Sequence, residues 1–463
     1  MQKNEIYVGE VVAYGYNGEG IIKAEQITVF VPFCIVGEVV KYKILKVKNN
    51  IAYGKIVEIV NKSCFRQNPP CTVFTKCGGC QLQHLNYEKQ LELKSNLVKD
   101  CFKKIAGLTV EVLPTIASPK IYEYRNKLQL PIRREGNFTQ IGFYANNSHR
   151  VVEISSCPLH EDWAEKIISS IKKYIETANI LCYNEIDNKG SLRHVVVRKV
   201  NNEFIIILVT AQKLVKTDIL LDILKDNFTN FSLYINENKQ NNNVILGDKF
   251  TLIYGKGFIT DNCFGIEYDI GAESFLQINN EVKTKLYKDI KSLVGNDQNT
   301  FVIDAYSGVG LLTAIIAKDV KKTYGVEIIS EAVESANKLA IRNNLEEKMT
   351  SYCGSCEDIL PNLIKSLSGK VKIVVDPPRK GVDKNSLLAM RDSCAQEIIY
   401  CSCSPQTLAR DIGILLGTID DNGRIIENDN PKYQIKSIQP YDMFPNTKHV
   451  ETLVCLTRVN HNI

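Results

Sequence analysis

After residue 275 the chain alternates buried strands with helices, and this pattern limits its fold more than any other feature of the sequence. The predicted elements are strands at Thr300–Tyr306, Thr323–Glu327, Val371–Val375 and Glu397–Cys401, with helices at Leu311–Ala317 and Ser330–Asn343. Continuously apolar strands joined through helices are typical of a parallel sheet covered on both faces. The pattern predicts a doubly wound, Rossmann-like α/β sheet, which binds ligands beyond the carboxyl ends of its strands.

The region before this sheet divides into two further predicted domains. Short apolar runs separated by glycine turns over residues 1–60 predict an OB-like β-barrel of about five strands. We expect residues 61–262 to form a mostly β central domain and residues 263–463 to form the Rossmann-like domain. The predicted central strands are Lys127–Ile132, Gln140–Tyr144, His194–Val200, Glu203–Val209 and Asn243–Leu246. An amphipathic helix at 87–105 belongs to the central domain by position but could also pack on the Rossmann-like domain.

Composition places the chain among ordinary globular proteins. Of its 463 residues, 44% are hydrophobic and 24% charged, and no apolar run reaches the ~18 residues that a membrane span needs. We therefore expect a cytoplasmic protein without a membrane partner, and nothing in the sequence indicates an obligate protein partner. The 15 cysteines are too few for a disulfide framework, so they serve in packing, metal binding or catalysis.

Positive charge is concentrated in one segment. Residues 61–150 contain 14 Lys and Arg against 6 Asp and Glu, although the net charge of the whole chain is only +5. Such a segment fits a polyanion partner, and it equally fits a solvated helical face. If RNA is the partner, Arg125, Lys127, Arg133 and Arg134 are candidates for phosphate contacts.

A cofactor site is predicted at Asp304–Gly310, where Gly-Val-Gly lies between a strand and a helix. Thr313 replaces the third glycine of a dinucleotide fingerprint, and Glu327 ends the next strand. An acidic residue there can accept hydrogen bonds from both ribose hydroxyls. The pattern favours S-adenosylmethionine over NAD, because S-adenosylmethionine has a ribose but no pyrophosphate.

Two more candidate residues follow strands at the same edge of the sheet. Asp376 precedes two prolines, which hold the chain extended and aim the carboxylate. Cys403 follows the strand Glu397–Cys401 and precedes a helix, a position where the pKa of a thiol can be lowered. By strand alternation Cys401 lies on the same face, as a buried neighbour.

Near the C-terminus, Glu451 precedes the last apolar strand, Thr452–Leu456. Burial in the same cleft would raise its pKa toward working pH, and it could then accept a proton from a substrate carbon. A cysteine, a base and a methyl donor together suit methylation of uracil C5. This carbon becomes nucleophilic only after a thiolate adds to C6.

A second group of cysteines has metal-ligand character. Cys71, Cys77 and Cys80 lie in Gly- and Pro-rich surroundings, and Cys157 is a distant fourth candidate. Four thiolates suit either a tetrahedral zinc or a four-iron cluster, and the spacing does not choose between them. The C-x3-C-x2-C spacing of radical enzymes is missing, which disfavours a reductive radical role.

Seven ordered motifs resemble the RNA uracil-5 methyltransferases of the RumA and TrmA type, and the resemblance covers nearly the whole chain. The motifs are CGGCQLQH at 77–84, YRNK at 124–127, SFLQIN at 274–279, DAYSGVG at 304–310, DPPRKG at 376–381, SCSPQTLARD at 402–411 and FPNTKHVE at 444–451. The sequence is most similar to the iron-sulfur members that act on 23S rRNA and carry an N-terminal TRAM domain.

The resemblance implies a function for individual residues. It implies a class I methyltransferase domain with Cys403 as nucleophile and Glu451 as proton acceptor. It implies S-adenosylmethionine contacts from Gln277, Tyr306, Glu327 and Asp376, and a [4Fe–4S] cluster on Cys71, Cys77, Cys80 and Cys157. Two positions depart from the pattern: Ser404 stands where Asn is common, and Cys401 where an aliphatic residue is common.

The leading hypothesis is therefore a cytoplasmic enzyme that methylates uridine C5 in RNA, with 23S rRNA as the expected target. One alternative is a non-catalytic iron-sulfur RNA-binding protein that uses the sheet only as a scaffold. Another is an amino-group methyltransferase, suggested by the Asp-Pro-Pro element, which would not depend on Cys403.

Overall fold

The computed structural model describes residues 1–135, 138–185, 187–214, 216–274, 276–420 and 422–459. Within them lie a closed barrel, two seven-stranded sheets and a two-stranded hairpin. This arrangement agrees with the predicted fold class, an α/β protein with an N-terminal barrel and a β-rich centre. The divisions at residues 60 and 262 stay predictions. Among the described residues, no helix combines the length and the apolar character needed to cross a bilayer.

The N-terminal barrel closes in the order β1-β2-β3-β5-β4. Its strands are β1 (Ile6–Tyr14), β2 (Gly20–Ala24), β3 (Ile27–Val31), β4 (Val39–Lys48) and β5 (Ile51–Asn61). Alternate side chains such as Val29, Val31, Val40 and Ile44 point inward and are fully buried. Four of these strands contain the apolar runs of the sequence, whereas β2 is short and begins at a glycine.

The central sheet has the order β12-β11-β10-β9-β6-β7-β8. Its elements are β6 (Lys127–Glu135), β7 (Phe138–Tyr144), β8 (Val151–Glu153), α2 (Trp163–Ala178), β9 (Leu192–Val200), β10 (Glu203–Thr210), α3 (Thr217–Lys225), β11 (Phe231–Glu237) and β12 (Lys249–Tyr254). The helices α2 and α3 were not predicted. They cover one face of the sheet and share its apolar core.

One predicted strand of the central region is wrong. Residues Asn243–Leu246 form a loop, and the strand begins only at Lys249. The buried Asn238 side chain donates to the carbonyl oxygens of Val244 and Ile245, at 2.7 and 3.0 Å. These carbonyls are therefore bonded to a side chain and take no part in a strand ladder.

The C-terminal sheet has the order β17-β16-β15-β18-β19-β21-β20. Its elements follow the hairpin β13 (Ile259–Cys263) and β14 (Ile266–Ile270), and they are α4 (Asn280–Val294), β15 (Asp297–Ala305), α5 (Leu311–Ala317), β16 (Val320–Glu327), α6 (Ser330–Arg342), β17 (Met349–Cys353), α7 (Cys356–Ser366), β18 (Lys370–Val375), α8 (Lys384–Arg391), β19 (Glu397–Ser402), α9 (Pro405–Leu416), β20 (Tyr433–Tyr441) and β21 (Glu451–Arg458). The first five strands in this order are parallel. Strand β21 pairs antiparallel to β19, and β20 pairs antiparallel to β21, so β20 again runs in the direction of the first five.

Helix α1 (Tyr87–Ala106) packs against this C-terminal sheet system, beside α9. Val98, Cys101 and Phe102 are fully buried and belong to the same apolar core as the strands β18 and β19. Lys94, also on α1, forms a fully buried ion pair with Asp442 at 2.5 Å. The segment that follows the cysteine-rich loop is thus joined to the C-terminal domain through apolar packing and a buried charge pair.

Candidate active site

A cavity of about 1620 Å³ opens at the carboxyl edge of the C-terminal sheet. Strands β15, β16, β18 and β19 end there, because parallel strands bring their carboxyl ends to one edge. The cavity is lined by all six residues predicted for catalysis and cofactor binding: Gln277, Tyr306, Glu327, Asp376, Cys403 and Glu451. Phe275 of the SFLQIN motif lies outside the described residues.

The cofactor loop after β15 is fixed by the carboxylate of Glu327. Gly308 N donates to Glu327 Oε2 at 2.9 Å, and Ile329 N donates to Oε1 at 3.0 Å. Tyr306 has a φ of 65°, a left-handed conformation that is rare outside glycine and is typical of functional loops. Since each carboxylate oxygen keeps further lone pairs, Glu327 can still accept hydrogen bonds from a ribose.

Asp304 is a site residue to which the sequence assigned no individual role. It lies at the end of β15, is 2% exposed, and accepts a hydrogen bond from Thr313 Oγ1 at 2.5 Å. Burial is the main cause that raises the pKa of Asp304 to about 7, and the nearby Asp376 carboxylate contributes to this shift. A bound cation would relieve the crowding of negative charge on this side of the cavity.

Asp376, Cys401 and Glu451 form a cluster at the cavity, and their ligating atoms lie within 4.8 Å of one another. Cys401 Sγ donates to Glu451 Oε1 at 3.4 Å, and both side chains are buried. Burial raises the pKa of Glu451, in the predicted direction, and the Asp376 carboxylate adds to this effect. Burial also raises the pKa of Cys401, which therefore stays a thiol and acts as the donor.

Cys403 is half-buried and lines the cavity, one residue before the N-cap of α9. The prediction that this position lowers the pKa of the thiol is wrong. Burial raises the pKa of Cys403, and the Glu451 carboxylate raises it further. The Arg379 guanidinium acts in the opposite direction and favours the thiolate. The position of Cys403 next to the start of α9 does not lower its pKa enough to offset its burial beside the Glu451 and Asp376 carboxylates.

Arg379 is a second site residue that the sequence did not assign. It follows the Asp376-Pro-Pro element, and its loop is held in place by the buried Asp411 of α9. Asp411 Oδ2 accepts hydrogen bonds from Val382 N at 2.9 Å and from Tyr400 Oη at 2.5 Å. The DPPRKG and SCSPQTLARD motifs contain the residues of this contact. The sequence does not show that the two motifs touch each other, and the fold does.

The cysteines Cys71, Cys77, Cys80 and Cys157 form a separate group away from the cavity. Their thiols interact electrostatically with one another, and Cys77 Sγ accepts a hydrogen bond from Gly79 N at 3.4 Å. Burial raises the pKa of Cys80 to about 12 and that of Cys157 to about 11. Deprotonated thiols would need a bound cation in these surroundings, so the donor set suits a metal group.

Not all of the basic residues that were predicted to contact phosphates have a side chain available to bind one. Arg133 is 9% exposed, pairs with Glu185 and donates to Tyr144 Oη at 2.8 Å. The prediction that Arg133 binds a phosphate is therefore wrong, because its guanidinium is occupied within the central domain. Burial and the neighbouring Arg198 and Arg125 lower the pKa of Lys127 to about 8.

Comparisons with known proteins agree with this geometry. The tRNA (Uracil-5-)-methyltransferase family model matches residues 364–459. A protein described as an uncharacterized RNA methyltransferase from Clostridium tetani is 39% identical over 461 residues, covering 99% of this chain and 97% of the relative. A similarly described protein from Clostridium acetobutylicum is 38% identical, covering 99% of this chain and 98% of the relative.

Among solved structures, the Pyrococcus abyssi tRNA (uracil-54, C5)-methyltransferase in complex with S-adenosyl-L-homocysteine superimposes with a TM-score of 0.76. It is 27% identical in sequence, and the match covers 97% of this chain and 99% of that structure. With near-complete relatives above 30% identity, a shared fold and the cavity at the sheet edge, the family is established. This chain belongs to the S-adenosylmethionine-dependent RNA uracil-5 methyltransferases of the RumA and TrmA type.

Proposed function

We propose that this protein methylates uridine C5 through a covalent bond between Cys403 and uracil C6, with Glu451 as the proton acceptor. The observation that carries the proposal is the presence of Cys403 and Glu451 in one cavity with Gln277, Tyr306 and Asp376. A target at nitrogen or oxygen would need no thiol at this place.

The proposed reaction assigns a separate step to each residue. The Cys403 thiol gives its proton to solvent water that enters the open cavity, with Arg379 favouring the thiolate, and its sulfur then bonds to C6. The C5=C6 electron pair is thereby released, and C5 accepts the methyl group. Glu451 removes the C5 proton, the double bond re-forms, and the C6–sulfur bond breaks to return the thiolate.

S-adenosylmethionine, when bound, supplies an electrophilic methyl group on a positively charged sulfur. Gln277, Tyr306, Glu327 and Asp376 line the cavity and are proposed to hold it. The buried Asp304 and the half-buried Asp376, whose pKa values desolvation raises, favour a cationic over a neutral ligand. After methyl transfer the donor is uncharged, which favours its release.

For the four cysteines we propose a [4Fe–4S] cluster rather than zinc. A tetrahedral zinc places its thiolates about 4 Å apart, since Zn–S distances are about 2.3 Å. Among the described residues, the group that converges within 4.8 Å is Asp376, Cys401 and Glu451, and it includes none of the four cysteines. Wider spacing suits a cluster, which binds each thiolate to a different iron. The cluster would order this loop, and no chemical step passes through it.

For the substrate we propose uridine in a folded RNA, with 23S rRNA as the leading target, as the seven motifs imply. A second candidate is tRNA, because the superimposable P. abyssi enzyme acts at uracil-54 of tRNA. Mapping 5-methyluridine in both RNA classes, from cells with and without the gene, distinguishes them. Loss of the modification from 23S rRNA alone supports the leading target, and loss from tRNA alone overturns it.

The covalent step is tested with RNA that contains 5-fluorouridine. Fluorine at C5 cannot leave as a proton does, so the enzyme should remain bound to the RNA in the presence of S-adenosylmethionine. We expect a band that resists denaturing electrophoresis for wild type and for Cys394→Ala, a matched variant at an exposed cysteine. We expect none for Cys403→Ala. Equal adduct from Cys403→Ala would overturn the mechanism.

The same assay separates the two other functional classes. A non-catalytic RNA-binding protein forms no adduct and transfers no methyl group. An amino-group methyltransferase transfers methyl groups but retains this activity in Cys403→Ala. Iron and zinc analysis of anaerobically purified protein tests the cluster: about four irons per chain supports it, and stoichiometric zinc refutes it.

A further inference from the structure

The loop that leads to Glu451 is held by contacts from distant parts of the chain. Residues 442–450 lie between β20 and β21, outside regular secondary structure. Asn446 is the centre of these contacts: it is 1% exposed and has a φ of 67°. A buried left-handed residue other than glycine costs free energy, so the surrounding contacts must hold it in place.

The first set of contacts comes from the residues immediately after Cys80. The backbone oxygen of Asn446 accepts hydrogen bonds from Gln81 N at 3.1 Å and from Leu82 N at 3.0 Å. The Gln81 side chain joins the two loops a second time. Its Nε2 donates to Gly78 O at 2.9 Å, and its Oε1 accepts from Lys448 N at 3.3 Å. Gln81 therefore connects the Cys77–Cys80 turn to the loop before Glu451.

The second set of contacts comes from α1 and from the YRNK region. Asn446 N donates to Gln90 Oε1 at 2.9 Å, and Gln90 Nε2 donates to Asn446 Oδ1 at 3.3 Å. Asn446 Nδ2 donates to Ile121 O at 2.7 Å. The neighbouring Pro445 carbonyl accepts from Tyr124 Oη at 3.1 Å. All polar atoms of Asn446 are thus paired inside the protein, as buried polar atoms require.

The Cys77–Cys80 turn is itself seated tightly on the central sheet. Gly78 N donates to Tyr144 O at 2.9 Å, and a Cβ at this glycine would lie only 3.0 Å from that oxygen. The path from the cysteine group to the proton acceptor is therefore short and consists of hydrogen bonds with defined partners. A shift of the turn would move the Asn446 backbone, five residues before Glu451.

We propose that Asn446 is a positioning residue that couples the Cys77–Cys80 turn to the loop carrying Glu451. The inference rests on the proposed function and adds a link between its two sites. When the Asn446 contacts or the metal-bound turn is lost, proton abstraction from C5 fails before methyl transfer does. Cys403, which lies at the end of β19 on another element, keeps its ability to bond to C6.

This order of failure has a chemical signature. Without a base, the methylated uracil keeps its C5 proton, the C5=C6 bond cannot re-form, and the sulfur stays on C6. Methylated RNA then accumulates in covalent linkage to the protein. A variant that is merely less stable makes less adduct and less product together, so the ratio of adduct to product distinguishes positioning from unfolding.

The test uses natural uridine RNA and donor with a labelled methyl group, and compares label in protein-bound RNA with label in free RNA. We expect this ratio to rise on the order of tenfold or more for Asn446→Ala, Asn446→Gly and Gln81→Ala, since misplacements near 1 Å cost about that much or more. Asn446→Gly tolerates the left-handed φ and so isolates the lost side-chain bonds. Asn201→Ala is the matched control, because Asn201 has a φ of 53° in an exposed turn.

The same ratio should rise for Cys80→Ser and for wild type treated with an iron chelator. Iron content should stay at the wild-type level in Asn446→Gly, so a raised ratio in this variant is not caused by loss of the metal group. A wild-type ratio in both Asn446→Gly and Gln81→Ala overturns the inference. If wild type forms no adduct with 5-fluorouridine RNA, the proposed function fails instead.

Discussion

The two functional regions of this molecule are built in different ways. The cavity residues Tyr306, Glu327, Asp376 and Cys403 lie at or just beyond the carboxyl ends of parallel strands, and strand register places them together. The segment from Cys71 to Cys80 contains no strand or helix, and it is positioned by individual hydrogen bonds such as Gly78 N to Tyr144 O. The strands that carry the first region are therefore held independently of most of its side chains, whereas the second region depends on its individual hydrogen bonds.

The difference lies in where the free energy of ordering comes from. Strands β15, β18 and β19 are ordered by an apolar core that includes Ile303, Ile373 and Ile398, all fully buried. The apolar contacts of the Cys71–Cys80 segment come from Val73 and Phe74. The Cys77–Cys80 turn has only two glycines between its cysteines, so we expect metal binding and hydrogen bonds to supply its order. Substitutions in the cavity should change chemistry, and substitutions in the turn should change structure first.

The largest effect should come from Cys403→Ser in the cavity. Because a hydroxyl is a much weaker nucleophile than a thiolate, we expect methyl transfer to fall by a factor on the order of 10⁴ or more. Turnover of methyl-labelled RNA measures the loss, and the melting temperature should stay within about 2 °C of wild type. Turnover above a tenth of wild type would remove Cys403 from the mechanism.

The next largest effect should come from Glu451→Gln, also in the cavity. A glutamine cannot accept the C5 proton, so we expect turnover to fall by about 10²- to 10⁴-fold. Single-turnover methyl transfer should persist, with the product trapped on the protein. Loss of methyl transfer and adduct together, in a folded variant, would show that Glu451 serves an earlier step.

Most of the cavity residues have local signals in the sequence, whereas Gln277 was assigned only through the family resemblance. Glycines between a strand and a helix, an acid at the end of the next strand and a cysteine beyond β19 are each readable within a few positions. The cavity contains all six predicted residues. The predicted direction of the Cys403 pKa shift was wrong, because the shift is set first by burial and then by the Glu451 carboxylate, which lies on another strand.

Contacts between distant segments could not be read in the same way. Asn446 meets Gln90 across 356 positions, and although Asn446 belongs to the FPNTKHVE motif, nothing in that motif points to Gln90. The helices α2 and α3 were missed in a region dominated by strand-like runs. The predicted strand Asn243–Leu246 failed because Asn238 bonds its carbonyls from outside the segment.

A third effect should arise where the two regions are joined. Lys94→Met leaves the buried Asp442 carboxylate without its cation, which should cost about 3 to 5 kcal/mol of unfolding free energy. Chemical denaturation measures this loss. The double variant Lys94→Met with Asp442→Leu removes both charges and should recover most of it. A single variant as stable as wild type would show that the pair does not hold the regions together.

A fourth effect should appear in the cysteine turn. Cys80→Ser removes one proposed metal ligand, so bound iron should fall and the melting temperature should drop by more than about 4 °C. Cys64→Ser is the matched control, because Cys64 is an exposed cysteine in the same segment and outside the proposed ligand set. Equal iron content in both variants would contradict the proposed ligands.

The smallest effect should come from Cys401, which tunes the base in the cavity. Its hydrogen bond lowers the pKa of Glu451, so Cys401→Val should raise that pKa. Glu451 accepts a proton only when ionised, and activity therefore rises as pH climbs through its pKa. We expect the rising limb of the kcat–pH profile to move to higher pH, by less than about one unit, in Cys401→Val and not in Cys401→Ser. An unmoved limb in Cys401→Val would contradict this role.

The central claim is that the Cys403 sulfur bonds to the pyrimidine ring, and mass spectrometry of the trapped complex tests it most directly. The 5-fluorouridine adduct is digested with nuclease and protease, and the modified peptide is fragmented to locate the nucleotide. We expect a methylated fluorouridine attached to Cys403. Attachment to Cys401, two residues earlier, or to any cysteine outside the cavity would contradict it.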